Sequence, residues 1–134
     1  MFIDKLTDCE QQILMDLLVH IASCDNKFPK SESKYVHGIE SKYELTMKFR
    51  PENTVKELCE KIEKDQSKII ILQEIIRTAR IDGEYDDKER EIIQQVVKCF
   101  GICNSKHSDI DDWVRKGMEW RNQGEVIIST LKPL

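Results

Sequence analysis

Two stretches of this 134-residue chain place acids at one spacing. Asp25 pairs with Glu32 and Asp82 with Glu89, each seven residues apart, and Glu84 and Asp86 lie inside the second pair. Carboxylates gathered in one place hold hard divalent cations, because oxygen ligands suit them. The candidate cation set is therefore Asp25, Glu32, Asp82 and Glu89, with Glu84 and Asp86 nearby. The candidate ions are Ca²⁺, Mg²⁺, Mn²⁺ or Zn²⁺. The run Asp82-x-Glu84-x-Asp86 is not an EF-hand: Gly83 stands at the second position rather than the sixth, and the twelfth is Ile93 rather than Glu. Helix capping is the competing explanation, since Asp86 and Glu89 have the D-x-x-E spacing of a capping box. Capping does not account for Asp82, which falls at a helix C-terminus, the end that disfavours anions. Nor does it account for Glu32, because Pro29 stands in the first stretch where Asp86 stands in the second.

Trp113 and Trp120 are seven apart and share one helix face, followed by the apolar run Val126-Ile127-Ile128. Two readings stay open for them: core packing, or the anchors of a partner or homodimer interface. His20 and Cys24 share a helical spacing of four, but the second stretch has Arg77 and Ile81 there, so a soft metal pair is disfavoured against a surface His and a partly buried Cys. Cys99 and Cys103 have the same spacing with the helix breaker Gly101 between them. No nucleophile motif, Gly-rich phosphate loop or basic stripe with interleaved aromatics occurs, which argues against catalysis and against a nucleic-acid partner.

The elements that must position these residues are helical almost throughout. Thr7 and Glu10 form a capping box, and Ile13, Leu14, Leu17, Leu18, Ile21 and Ala22 then trace one helix face over about residues 8–24. A second helix carries Tyr35, Val36, Ile39 and Tyr43. After a connector at 46–50, Pro51 is expected in the first turn of a third, with Val55, Leu58, Cys59 and Ile62 as its stripe. A fourth runs through Ile69–Leu72, Ile75, Ile76 and Ala79; it is apolar on more than one face and is expected at the centre. A fifth carries Ile92, Ile93, Val96, Val97 and Phe100 and stops at Gly101. A loop is expected at 104–108, a sixth helix over about 109–122 closed by Gly124, and a tail whose Val126-Ile127-Ile128 docks.

A shift of 57 residues lays the first hairpin on the later one. Ile13 falls on Ile70, Ala22 on Ala79, Asp25 on Asp82 and Glu32 on Glu89. Period alone does not require identical acids in both copies, so the pattern reads as an internal duplication. The segment Ala79-Arg80-Ile81-Asp82-Gly83-Glu84 leading into Asp86-Asp87-Lys88-Glu89, echoed from Leu18 to Glu32, resembles the tellurite-resistance TerB-like domains. Their signature is A-D-G-x(5)-E in each of two halves. The first copy departs from it with Cys24-Asp25-Asn26, and the second has Ile81 directly before Asp82. The resemblance covers about residues 10–102. It implies an all-α bundle of two pseudo-symmetric helix pairs, a divalent-cation site at the acids, and a non-enzymatic stress or accessory role.

Composition bounds the rest. A net charge of −4 gives no general attraction for nucleic acid or anionic lipid. Gly and Pro number only 5 and 3, too few for the turns of an all-β fold. No apolar run approaches the roughly 18 residues of a membrane span. Asp4, Asp8 and Glu10 interrupt the region where a signal peptide would be apolar, and five scattered cysteines suit a reducing cytosol, so a cytoplasmic location is expected. The chain is expected to be one all-α domain over 1–134, with repeat halves at about 8–46 and 65–103 and a C-terminal helix and tail at 104–134.

Overall fold

The computed structural model describes residues 2–23, 30–45, 52–81 and 87–133, with the backbone alone given for 30–33. The elements among them are a 3-10 turn at Ile3–Lys5 and six α-helices, with no strand. The helices are α1 (Asp8–Ser23), α2 (Lys30–Tyr43), α3 (Val55–Glu60), α4 (Asp65–Ala79), α5 (Asp87–Phe100) and α6 (Asn104–Ile128).

Local chemistry sets most of the boundaries. The Thr7 and Glu10 capping box is in place: the Thr7 amide donates to Glu10 Oε1 at 2.9 Å, and the Glu10 amide to Thr7 Oγ1 at 3.2 Å. Thr54 caps α3 by accepting from the Glu57 amide. That helix therefore starts at Val55, and the expected first-turn position of Pro51 is wrong, Pro51 itself lying outside the described residues. At the end of α5, Gly101 takes φ 70°, the Ile102 amide reaches the Val97 carbonyl and the Gly101 amide the Lys98 carbonyl. This is the Schellman arrangement, which satisfies carbonyls the helix end leaves open. On either side of the break, Cys99 Sγ lies 3.9 Å from the Lys56 carbonyl and Cys103 Sγ 3.4 Å from the Ser105 hydroxyl.

One apolar cluster runs from Ile3 to Val114. The helix expected at the centre, α4, packs against α1, α2, α5 and α6, and α1 shares that position by packing against α2, α3, α4 and α5. The 57-residue shift maps the bounds of α2 onto those of α5, and those of α1 onto α4 to within one residue. Matched positions are buried in both copies: Leu14 with Ile71, Leu18 with Ile75, Ala22 with Ala79 and Val36 with Ile93.

The last helix differs from expectation in three ways. The segment 104–108 is its first turn rather than a loop, Gly124 lies inside it rather than closing it, and Val126-Ile127-Ile128 is its exposed last turn rather than a docked tail. One glycine costs an exposed helix about 1 kcal/mol relative to Ala, which is not enough to end it. The i,i+4 pair Arg121–Glu125 spans the glycine at 3.9 Å. Among the described residues no helix is long and apolar enough to cross a membrane.

Candidate functional site

Of the acids read from the sequence, Asp25, Asp82, Glu84 and Asp86 lie outside the described residues. Glu32 is placed in the first turn of α2 by its backbone alone. Glu89 occupies the first turn of α5 and is 8% exposed, so it belongs to the protein interior and not to a solvated face. Among the described residues no group of three or more His, Cys, Asp or Glu is disposed around a common point.

The described residues do build a second feature around α6. It starts with a buried acid. Glu74 is fully buried in α4, at the position that corresponds to Leu17 of the first copy. The Tyr35 hydroxyl on α2 donates to Glu74 Oε2 at 2.7 Å, and Arg77 donates to Oε1 at 3.1 Å. Burial, with Glu74 adjacent, raises the Tyr35 phenol well above its ordinary range, so it stays a neutral donor. The Arg77 guanidinium in turn lies 5.9 Å from the Trp113 ring centre, and Trp113 stacks on Phe2 at 6.1 Å. A chain of contacts thus links α2, α4 and α6.

A second tie fixes the same helix. Arg80, at the C-cap of α4, meets Asp111 in a two-pronged ion pair, Nε to Oδ1 and Nη2 to Oδ2, both at 2.7 Å. Ile110 and Val114 are the only buried residues of α6, and beyond Met118 none of its hydrophobic residues packs against the core formed by the described residues. The ten residues from Glu119 to Ile128 therefore extend about 15 Å past the anchored part. They carry Trp120, 78% exposed, with Ile127 at 57% and Ile128 at 84%. Trp113, at the edge of the anchored part, is 41% exposed.

Under this extension lies a groove of about 550 Å³, walled by Tyr35, Arg77, Ile81, Trp113, Gly117 and Trp120 among others. It meets a second hollow of about 570 Å³, lined by Lys34, Gly38, Lys42 and Tyr43, at Tyr35, Ile81 and Arg121. The combined surface is aromatic and cationic. Its elements bring together what the sequence showed only in part: the two tryptophans were legible as a stripe, whereas Tyr35, Arg77 and Arg121 converge on it from three helices without any local motif.

The remaining candidates fall elsewhere. Cys24 lies outside the described residues, and the His20 Nε2–H donates to the Asn53 carbonyl at 2.7 Å, tying α1 to the segment before α3 rather than facing solvent freely. Cys59 is buried on α3 beside Cys99 of α5, and burial pushes its thiol up to about 12. Cys103 is exposed, and the Ser105 hydroxyl, 3.4 Å from its sulfur, holds its thiol below the ordinary range.

No protein family, curated protein or solved structure matches this chain.

Proposed function

We propose that the protein is a non-enzymatic binding module that offers the C-terminal half of α6, with the groove beside it, to another polypeptide. The observation that carries the reading is the extension from Glu119 to Ile128, which leaves Trp120, Ile127 and Ile128 in solvent. Monomeric proteins keep contiguous apolar surface small, and Trp is the residue most enriched at interface hot spots. The anchoring contacts support it too: Arg80–Asp111 and Arg77–Trp113 hold the helix in place before any partner arrives. Free cysteines at positions 9, 59, 99 and 103 agree with a reducing, cytoplasmic setting.

A photo-cross-linking phenylalanine analogue in place of Trp120 tests this in cells that express the protein, with the same analogue in place of Arg115 as the control. Polypeptide adducts should form at 120 and be few at 115. No adduct at 120 contradicts the reading.

Burial of Glu89 favours a second reading that is compatible with the first. It is the TerB-like site, a divalent cation held by Asp25, Glu32, Asp82 and Glu89 in a stress or accessory module. Thermal melts in EDTA and in Ca²⁺, Mg²⁺, Mn²⁺ or Zn²⁺ test it. A ligand at 100 times its dissociation constant adds about 2.7 kcal/mol. Asp82→Asn combined with Glu89→Gln should abolish the shift, and a melting point that no cation moves contradicts the site.

A further inference from the structure

Inside α6 the residues Trp113, Gly117, Trp120, Gly124 and Ile127 follow one another at alternating steps of four and three, the spacing of a coiled-coil seam. Large and small residues alternate along it. Glycine is the worst helix former after proline. Yet neither Gly117 nor Gly124 has a positive φ, and among the described residues a Cβ at either would meet nothing within 4 Å. Nothing among the described residues accounts for the two holes.

We propose that the seam pairs with a second copy of this chain, the two α6 helices running antiparallel about a twofold axis between Met118 and Glu119. This rests on the reading of α6 as a docking face and names its partner. In that register Trp120 of one protomer sits over Gly117 of the other, and Trp113 over Gly124, with both contacts repeated by symmetry. A parallel pair would instead set Trp against Trp and Gly against Gly, leaving bulk and void in alternate layers. On the flanks Lys116 lies opposite Gln123, and the position opposite Arg121 is Val114, which its own protomer buries, so no like charges meet there. The area suffices as well. With about 150–250 Å² for a large side chain, the exposed parts of Trp113, Trp120, Ile127, Ile128 and Leu131 come to roughly 600 Å² per protomer. The side-chain stems of Lys116, Arg121 and Gln123 bring this near the roughly 800 Å² per partner of a standard interface.

Sedimentation equilibrium of the full chain, in reductant so that thiols do not cross-link, tests the pairing. The wild type should reach twice the 15.8 kDa chain mass. Gly117→Leu fills a hole and should weaken association by about 30-fold, the scale of one interfacial hot spot. It should leave the circular dichroism of the helices intact. Trp120→Gly should do the same. Combining Gly117→Trp with Trp120→Gly exchanges knob and hole on both protomers and should restore the dimer, which separates lost complementarity from lost folding. A wild type that is monomeric at all concentrations overturns the second-copy proposal. So does a dimer that Gly117→Leu leaves unchanged. Neither result removes the docking reading, which falls only if position 120 forms no adduct with any polypeptide.

Discussion

Replacing Tyr35 with Phe removes one oxygen from the interior and should cost far more than its size suggests. The hydroxyl donates to Glu74 Oε2 at 2.7 Å, and Glu74 is fully buried, so water cannot substitute for the lost donor. Hydrogen bonds to charged groups contribute about 1.5–3 kcal/mol, and an exposed Tyr→Phe change would cost almost nothing. The expected loss is about 2 kcal/mol. For a chain of this length that lowers the melting temperature by about 7 °C. The assay is urea unfolding of the wild type, Tyr35→Phe, Glu74→Gln and the double variant, read as a double-mutant cycle. A coupling energy of about 1–2 kcal/mol is expected between the two positions. Glu74→Leu restores the residue found at the matching position of the first copy, so Tyr35→Phe with Glu74→Leu should recover part of the loss. A coupling below about 0.5 kcal/mol would refute the reasoning, because it would mean the carboxylate is served equally well without the phenol.

Other outcomes follow from the same geometry. Arg80→Ala leaves the largely buried Asp111 without its two-pronged partner and should cost about 2 kcal/mol in urea unfolding, with faster amide exchange in α6. A cost below about 0.5 kcal/mol would show that Ile110 and Val114 alone anchor that helix. Iodoacetamide near neutral pH should modify Cys103 first and Cys59 last among Cys9, Cys59, Cys99 and Cys103, as peptide mass spectrometry would show. Equal rates would contradict the assigned environments. The Cys59 thiol ionises near its ordinary 9.0 in the unfolded chain but at about 12 in the fold. Its contribution is therefore complete below about pH 9 and is lost as pH rises toward 12, because the unfolded state releases its proton first. Stability measured at about pH 8 and about pH 10.5 should fall more steeply for the wild type than for Cys59→Ala, by nearly one proton.

Helices one to five were legible because their apolar residues recur at helical spacing and their ends carry readable chemistry. Thr7 with Glu10 and Gly101 each act through a backbone hydrogen bond that the residue type announces. The sixth helix departs from its sequence expectation at both ends for one reason. Its first turn and its last ten residues bury nothing, so periodicity has no core face to report, and Gly124 reads as a stop in sequence although it keeps a negative φ inside the helix. Glu74 was invisible for the opposite reason. It sits in an apolar run at a position that reads as core, and it is the tertiary approach of Tyr35, added to Arg77 one turn on, that makes an acid acceptable there. The duplicated acids were legible as a pattern, and Glu89 alone among them is described with its side chain. The two tryptophans were legible as a stripe, with core and interface readings both open; the exposure of Trp120 is what favours the second.

In the proposed dimer the free half of α6 is covered by a second α6, and Trp120 reports on that directly. The other of the chain's two tryptophans, Trp113, lies on the same seam, so the unaltered protein serves and its emission reports on both. Acrylamide quenching of its fluorescence should be strong at nanomolar protein and fall steeply as the concentration is raised toward hundreds of micromolar, with the emission moving to shorter wavelength. Quenching that stays strong across the whole range, with emission fixed at the wavelength of a solvated indole, would contradict it.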